Sequence, residues 1–187
     1  EKAENLLKLA TCFSVAPISS FYVGAIAVGK SGKLYLGANI EFEGVPLSAS
    51  LHAEQSAILN AGRHAERVLL ALHVSERPCG HCRQFMRELS NPSNFKIHCK
   101  GQTFKIEDLL PGAFGENRKQ GHGLLDSTGI NLGPDKIKPE SQAQLAISAA
   151  QRSYTPYSQS PEGFVAQCLG GHSFSGRAAE SIAFNPS

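Results

Sequence analysis

Two short stretches of the chain hold residue types that do chemistry together. His52-Ala53-Glu54 sets an imidazole two residues from a carboxylate, and Pro78-Cys79-Gly80-His81-Cys82 sets two thiols at i and i+3. Thiols so spaced at the start of a helix leave the same side of its first turn, where the helix dipole favours thiolate and metal binding. A C-x-x-C by itself is also a redox pair or half of a zinc ribbon. A ribbon needs a second pair, however, and Cys12, Cys99 and Cys168 stand alone. One imidazole and two thiolates make three ligands, the number at which catalytic zinc keeps a fourth position for water. Zinc lowers the pKa of that water to about 7. Glu54 is too near His52 along the chain to ligate comfortably as well, yet near enough to reach the water. The expectation is one zinc per chain on His52, Cys79 and Cys82, with Glu54 moving protons; a purely structural metal is the alternative.

The elements that must position these residues read as an α/β chain. Residues 1–10 are helical in pattern, with Leu6, Leu7 and Leu9 on or near one face. Residues 21–30 are apolar and rich in strand formers, and Ser31-Gly32 turns them into residues 33–37, a hairpin signal. Residues 51–60 read as a helix with small residues on one side. Residues 68–74 (VLLALHV) form an apolar run of the kind buried on both faces of a sheet. Pro78 is placed to open the next helix as its first residue, with Cys79, Cys82, Phe85, Met86 and Leu89 along one stripe. Residues 95–99 are a further strand. Strands alternating with helices predict a layered α/β fold.

Residues 115–138 lack periodicity and read as a linker; residues 142–152 are a helix, after which the opening of the chain repeats. Pro17 to Gly37 spans 20 residues, as does Pro156 to Gly176, and Glu41 is matched by Glu180 while Asn39 is matched by Ala178. The domain reading is 1–114 for the zinc domain, 115–138 for the linker and 139–187 for a degenerate, incomplete second copy. The ends of the chain read as cut from a longer protein.

The pattern H-x-E…P-C-x-x-C is the signature of zinc deaminases. HAEQSAI, PCGHCRQFM and the upstream GANIEF together resemble the cytidine deaminases that act on free nucleosides, in their long, duplicated, homodimeric form. The resemblance covers nearly the whole chain. It implies a three-layer α-β-α sandwich around a mixed sheet, and hydrolytic deamination of cytidine to uridine, and of deoxycytidine to deoxyuridine, with release of ammonia, in pyrimidine salvage. In that chemistry zinc-bound hydroxide attacks C4, and Glu54 passes its proton to N3 and then to the departing ammonia. By position, Phe21 would pack on the pyrimidine face, Asn39 and Glu41 would bind the ribose 3′-hydroxyl region, and the Ala53 N–H would meet the base carbonyl. Phe114 would reach the pocket of the partner subunit. For Phe21 and Phe114 the competing reading is core packing, and for Asn39 a turn residue. Arg77 departs from the family, which more usually has a small residue there and uses its backbone carbonyl; a long cation beside the pocket bears on the substrate preference.

Composition narrows the alternatives. The 187 residues are 41% hydrophobic and 18% charged with a net charge of +2, a globular composition without the basic excess of a nucleic-acid binder. A deaminase of nucleic-acid bases would need a basic groove and aromatic platforms, yet only 7% of residues are aromatic. An inactive, zinc-stabilised module is the other rival. No apolar run approaches the roughly 20 residues of a membrane span and no secretory n-region opens the chain, so a cytoplasmic enzyme with a small-molecule nucleoside substrate is expected. Residues 24–31, GAIAVGKS, match the P-loop pattern by letter, but the run is a strand followed by another strand, with no helix to receive phosphate. His81 is expected to point away from the metal. Arg83 is read either as a donor to the thiolates or as an exposed helix arginine, and Cys12, Cys99 and Cys168 as small buried residues.

Overall fold

The computed structural model describes residues 2–115, 123–126, 129, 130, 132 and 141–183. By its contacts the chain divides into two compact units, Glu1–Leu125 with Ser181–Ser187, and Asp126–Glu180. Most of the expected linker lies outside the described residues.

In the first unit, α1 (Lys2–Thr11), β1 (Gly24–Gly29), β2 (Leu34–Ala38), α2 (Ala53–Arg63), β3 (Leu69–Val74), α3 (Gly80–Met86), β4 (Lys96–Cys99), β5 (Gln102–Lys105) and α4 (Ile106–Leu109) follow in order. The five strands form one mixed sheet, ordered β2-β1-β3-β4-β5, parallel only between β3 and β4. Two glycines show how helices cover both faces. Gly24 lies opposite Ala38 and Ala25 opposite Gly37, so Gly24 and Gly37 face opposite sides of the sheet. A Cβ on Gly24 would stand 2.5 Å from Thr11 of α1, whereas one on Gly37 would strike the backbone of Ala53 and Ala57 in α2. Helix, sheet and helix are therefore three layers. The small side of α2 makes the close approach possible: Ala53, Ala57 and Ala61, four residues apart, are all buried. Phe85, Phe95, Leu72, Ile97 and Ile106 are completely buried in the core, each contributing about 1.5–3 kcal/mol of burial.

Several details differ from the sequence reading. The first strand begins at Gly24, leaving Phe21 and Tyr22 exposed ahead of it. Leu70 is 48% exposed although the β3 run was expected to be buried on both faces. The cause is a bulge: Val28 pairs with Ala71 and Gly29 with Leu69, so Leu70 is the extra residue. Strand β5 and helix α4 carry too few apolar residues to be read from periodicity. Residues 24–29 of the P-loop match are strand β1, followed by a turn and β2, as expected.

In the second unit, α5 (Gln142–Ala150) starts on Ser141, whose Oγ accepts the Gln144 N–H at 3.1 Å. It precedes the antiparallel hairpin β6 (Gly163–Gln167) and β7 (Ser173–Arg177). Gly163 stands to α5 as Gly24 stands to α1, since its Cβ would meet Ala146 and Ala150. Gly176, which takes the place of Gly37, has no described heavy atom within 4 Å of its Cβ direction.

Candidate functional site

Backbone pairing assembles the site. Ile40, just past β2, exchanges N–H···O bonds of 2.8 and 3.0 Å with Leu51. That single bridge sets Asn39 and Glu41 beside His52. His52 is the N-cap of α2 and not its interior, so its imidazole stands at the helix entrance while Ala53 and Glu54 occupy the first turn. On the neighbouring strand, Gly24 and Ser75 pair by a 3.0 Å backbone bond and a 3.1 Å bond from the Gly24 N–H to Ser75 Oγ, which aims the chain toward Pro78. Cys79, not Pro78, is the boundary residue of α3: its Sγ accepts the Cys82 N–H at 3.5 Å as an N-cap. Proline therefore precedes the helix instead of opening it.

His52, Cys79 and Cys82 offer ligand atoms that all lie within 4.8 Å of one another, with His52 Nδ1 3.5 Å from Cys79 Sγ. Two bonds of about 2.0–2.3 Å to a common tetrahedral ion span much the same distance, so the donor set and its spacing fit zinc. Electrostatics agree. The Cys79 thiol is drawn down to about 3, first by the hydrogen bond from Cys82 and then by His52, against its burial. Cys82 is pushed up by that same bond and by burial. His52 is raised by its bond to Cys79, with burial opposing. Burial raises Glu54, with its own backbone N–H and Cys82 opposing; a carboxyl only 5% exposed can hold a proton where an exposed one would not.

Beside these groups opens a cavity of about 230 Å³ lined by Phe21, Asn39, Glu41, His52, Ala53, Glu54 and Cys79 among others. This is below the roughly 300–1,000 Å³ of drug-sized sites, a pocket for a small molecule. Phe21 is 55% exposed, so it does not pack in the core. The Asn39 amide braces the wall: Oδ1 accepts from Val23 N–H at 2.8 Å and from Ser14 Oγ, and Nδ2 donates to the Phe21 carbonyl at 2.8 Å. The Glu41 carboxylate accepts the N–H groups of Ile18 and Ser19 at 2.9 and 3.0 Å, and the Ser19 hydroxyl. Phe114 does not line the cavity; its side chain is 62% exposed and its carbonyl accepts from Gln84 Nε2 at 3.0 Å.

Arg77 lines the cavity, but its guanidinium is engaged elsewhere. Nη2 donates to Gln102 Oε1 at 2.8 Å, and the group stacks 5.3 Å from the Phe104 ring centroid, both on β5. Arg83 is half-buried and donates to the carbonyls of Pro78 and Leu109 at 2.8 and 2.7 Å, fixing the approach to α3; the thiolates receive none of the bonds described for it. Of the three cysteines outside the motif, Cys12 and Cys168 are exposed, contrary to expectation, and Cys99 is buried. Gln55 was not singled out by its sequence position, although it is completely buried and bonded to the His52 N–H at 3.0 Å.

Residues 1–98 match the family model for the cytidine and deoxycytidylate deaminase zinc-binding region, and residues 103–187 match a second model of that description. The chain belongs to this deaminase family. Cytidine deaminases of Yersinia pestis (strain Pestoides F) and Yersinia pseudotuberculosis serotype O:1b (strain IP 31758) are each 45% identical over 183 residues, covering 97% of this chain and 62% of the relative. The chain thus spans less than two thirds of the length of these relatives. The solved cytidine deaminase from Mycobacterium tuberculosis is similar at 31% identity and TM-score 0.53, covering 60% of this chain and 97% of that one. That from Burkholderia pseudomallei gives 32% and 0.52, covering 59% and 94%. The mixed sheet between helices is the fold of this family, and zinc is its metal. Among the described residues, no helix is long and apolar enough to cross a membrane.

Proposed function

We propose that this chain carries out the hydrolytic deamination of cytidine, and of deoxycytidine, to uridine or deoxyuridine and ammonia. The observation that carries the reading is the buried Glu54 carboxyl beside a His-Cys-Cys set, on the wall of a nucleoside-scale cavity. His52, Cys79 and Cys82 would hold the metal, one ion per chain. Zinc, when bound, supplies the Lewis acid that makes water nucleophilic at neutral pH. Glu54 takes the proton lost by the water attacking C4, delivers it to N3, and carries a proton to the departing amine. Ala53 offers its N–H to the base carbonyl from the first turn of α2. Phe21 covers the face of the pyrimidine, and Asn39 and Glu41 line the wall that receives the ribose.

A nucleoside is favoured over a nucleotide because the one Arg or Lys among the described lining residues, Arg77, is bonded to Gln102 and stacked on Phe104 of β5. On the internal repeat, residues 1–114 are the catalytic domain, 115–138 a linker and 139–187 a degenerate, incomplete copy. The exposed Phe114 suits a role in the pocket of a partner subunit, in a cytoplasmic homodimer serving pyrimidine salvage. The test is to incubate the zinc-loaded chain with cytidine and with cytidine 5′-monophosphate and to measure ammonia together with uridine or uridine 5′-monophosphate. Equimolar products from the nucleoside alone support the reading; preference for the monophosphate overturns the assignment of substrate.

A further inference from the structure

The three candidate metal ligands come from two helix entrances: His52 caps α2, while Cys79 caps α3 and Cys82 lies in its first turn. Their geometry therefore depends on how firmly these entrances are held together. One buried side chain touches both. The Gln55 Oε1 accepts the His52 N–H at 3.0 Å, and its Nε2 lies 3.4 Å from Nε2 of His81, the residue next to Cys82. The His81 ring also leans on the His52 ring, with centroids 5.6 Å apart and planes at 51°. The acceptor end of the amide is fixed by the His52 N–H, so its NH₂ end must face His81. His81 then accepts through Nε2 and carries its proton on Nδ1.

We propose that Gln55 and His81 form a tie between the two helix entrances that sets the spacing of the metal ligands, making both of them positioning residues. The inference rests on the metal-holding role of His52, Cys79 and Cys82 proposed above. A methionine at 55 would fill the volume of Gln55 but leave the His52 N–H without its acceptor and His81 without its donor. Such outer partners govern how tightly a metal is held, typically by about 10–100-fold in affinity.

The test is a double-mutant cycle in the full chain with Gln55→Met, His81→Phe and both together. Zinc release to a chromophoric chelator and the visible spectrum of the cobalt(II)-loaded protein are the readouts, with melting of the metal-free chain as the folding control. Each single change should speed zinc release about tenfold and alter the cobalt spectrum, and the double should release no faster than the faster single. Release at the parental rate from the singles, or a double whose effect is their product, overturns the tie. If Gln55→Met does not fold, His81→Phe, at a half-buried position, decides by itself through release rate and spectrum. A folded parent that takes up no zinc overturns both the tie and the site beneath it, whereas a zinc-loaded parent with unaffected variants overturns the tie alone.

Discussion

Glu41 and Glu180 do the same structural work in the two copies: each carboxylate accepts a pair of consecutive backbone N–H groups, Ile18 and Ser19 for the first and Tyr157 and Ser158 for the second. The turn and its clamp are kept in the second unit, while Phe21 is replaced by Ser160 and Asn39 by Ala178. Glu41 therefore combines a folding role with its place on the cavity wall, and Glu180 has the folding role alone. Glu180→Ala should cost about 1 kcal/mol of stability in denaturant unfolding and leave KM for cytidine unchanged. Glu41→Ala should lower stability and raise KM together.

The glycine pair gives a second contrast. Gly37→Ala drives a methyl into the backbone of α2 at Ala53 and Ala57, the helix that carries His52 and Glu54. It should cost about 1–3 kcal/mol and reduce zinc content. Gly176→Ala, with open space at its Cβ, should leave both unchanged. Thermal melting and metal analysis read the two outcomes.

Phe21 is exposed and makes no core contribution, so Phe21→Ala should shift stability by no more than about 0.5 kcal/mol. Loss of an aromatic face against the base, worth about 0.5–1.5 kcal/mol beyond its area, should raise KM for cytidine several-fold. Steady-state kinetics beside a denaturation curve separate the two effects.

Acid sensitivity should trace to Glu66. The Ser31 hydroxyl foremost, with Tyr35 assisting and burial opposing, holds its carboxyl below the ordinary 4.5. A depressed folded-state pKa gives stability that is present above the unfolded value and lost as pH falls through the lower folded one. Stability should decline as pH drops below about 4.5, and Glu66→Gln should flatten that decline. Denaturation midpoints across the acid range test the sign.

What was legible in the sequence was what short spacing encodes. His52, Glu54, Cys79 and Cys82 are read from two local motifs, and the repeat is read from matched anchors at Pro17 and Pro156. Strand β5, helix α4 and the Leu70 bulge were not legible, because four-residue elements leave no period and a bulge depends on the partner strand. Nor was the direction of Arg77: its residue type predicts a cation near the pocket, but contacts with Gln102 and Phe104 turn it away. Gln55 escaped notice for a similar reason, since its two partners lie on different helix entrances and one of them, His81, is remote in sequence.

Glu54 provides the most direct test. With the parent chain and Glu54→Ala both folded and zinc-loaded, cytidine deamination is followed by ultraviolet absorbance. Turnover is expected in the parent and a fall of about 10²–10⁴-fold in kcat in the variant, with zinc content unchanged. Equal turnover by the two proteins would contradict the proton-moving role of Glu54.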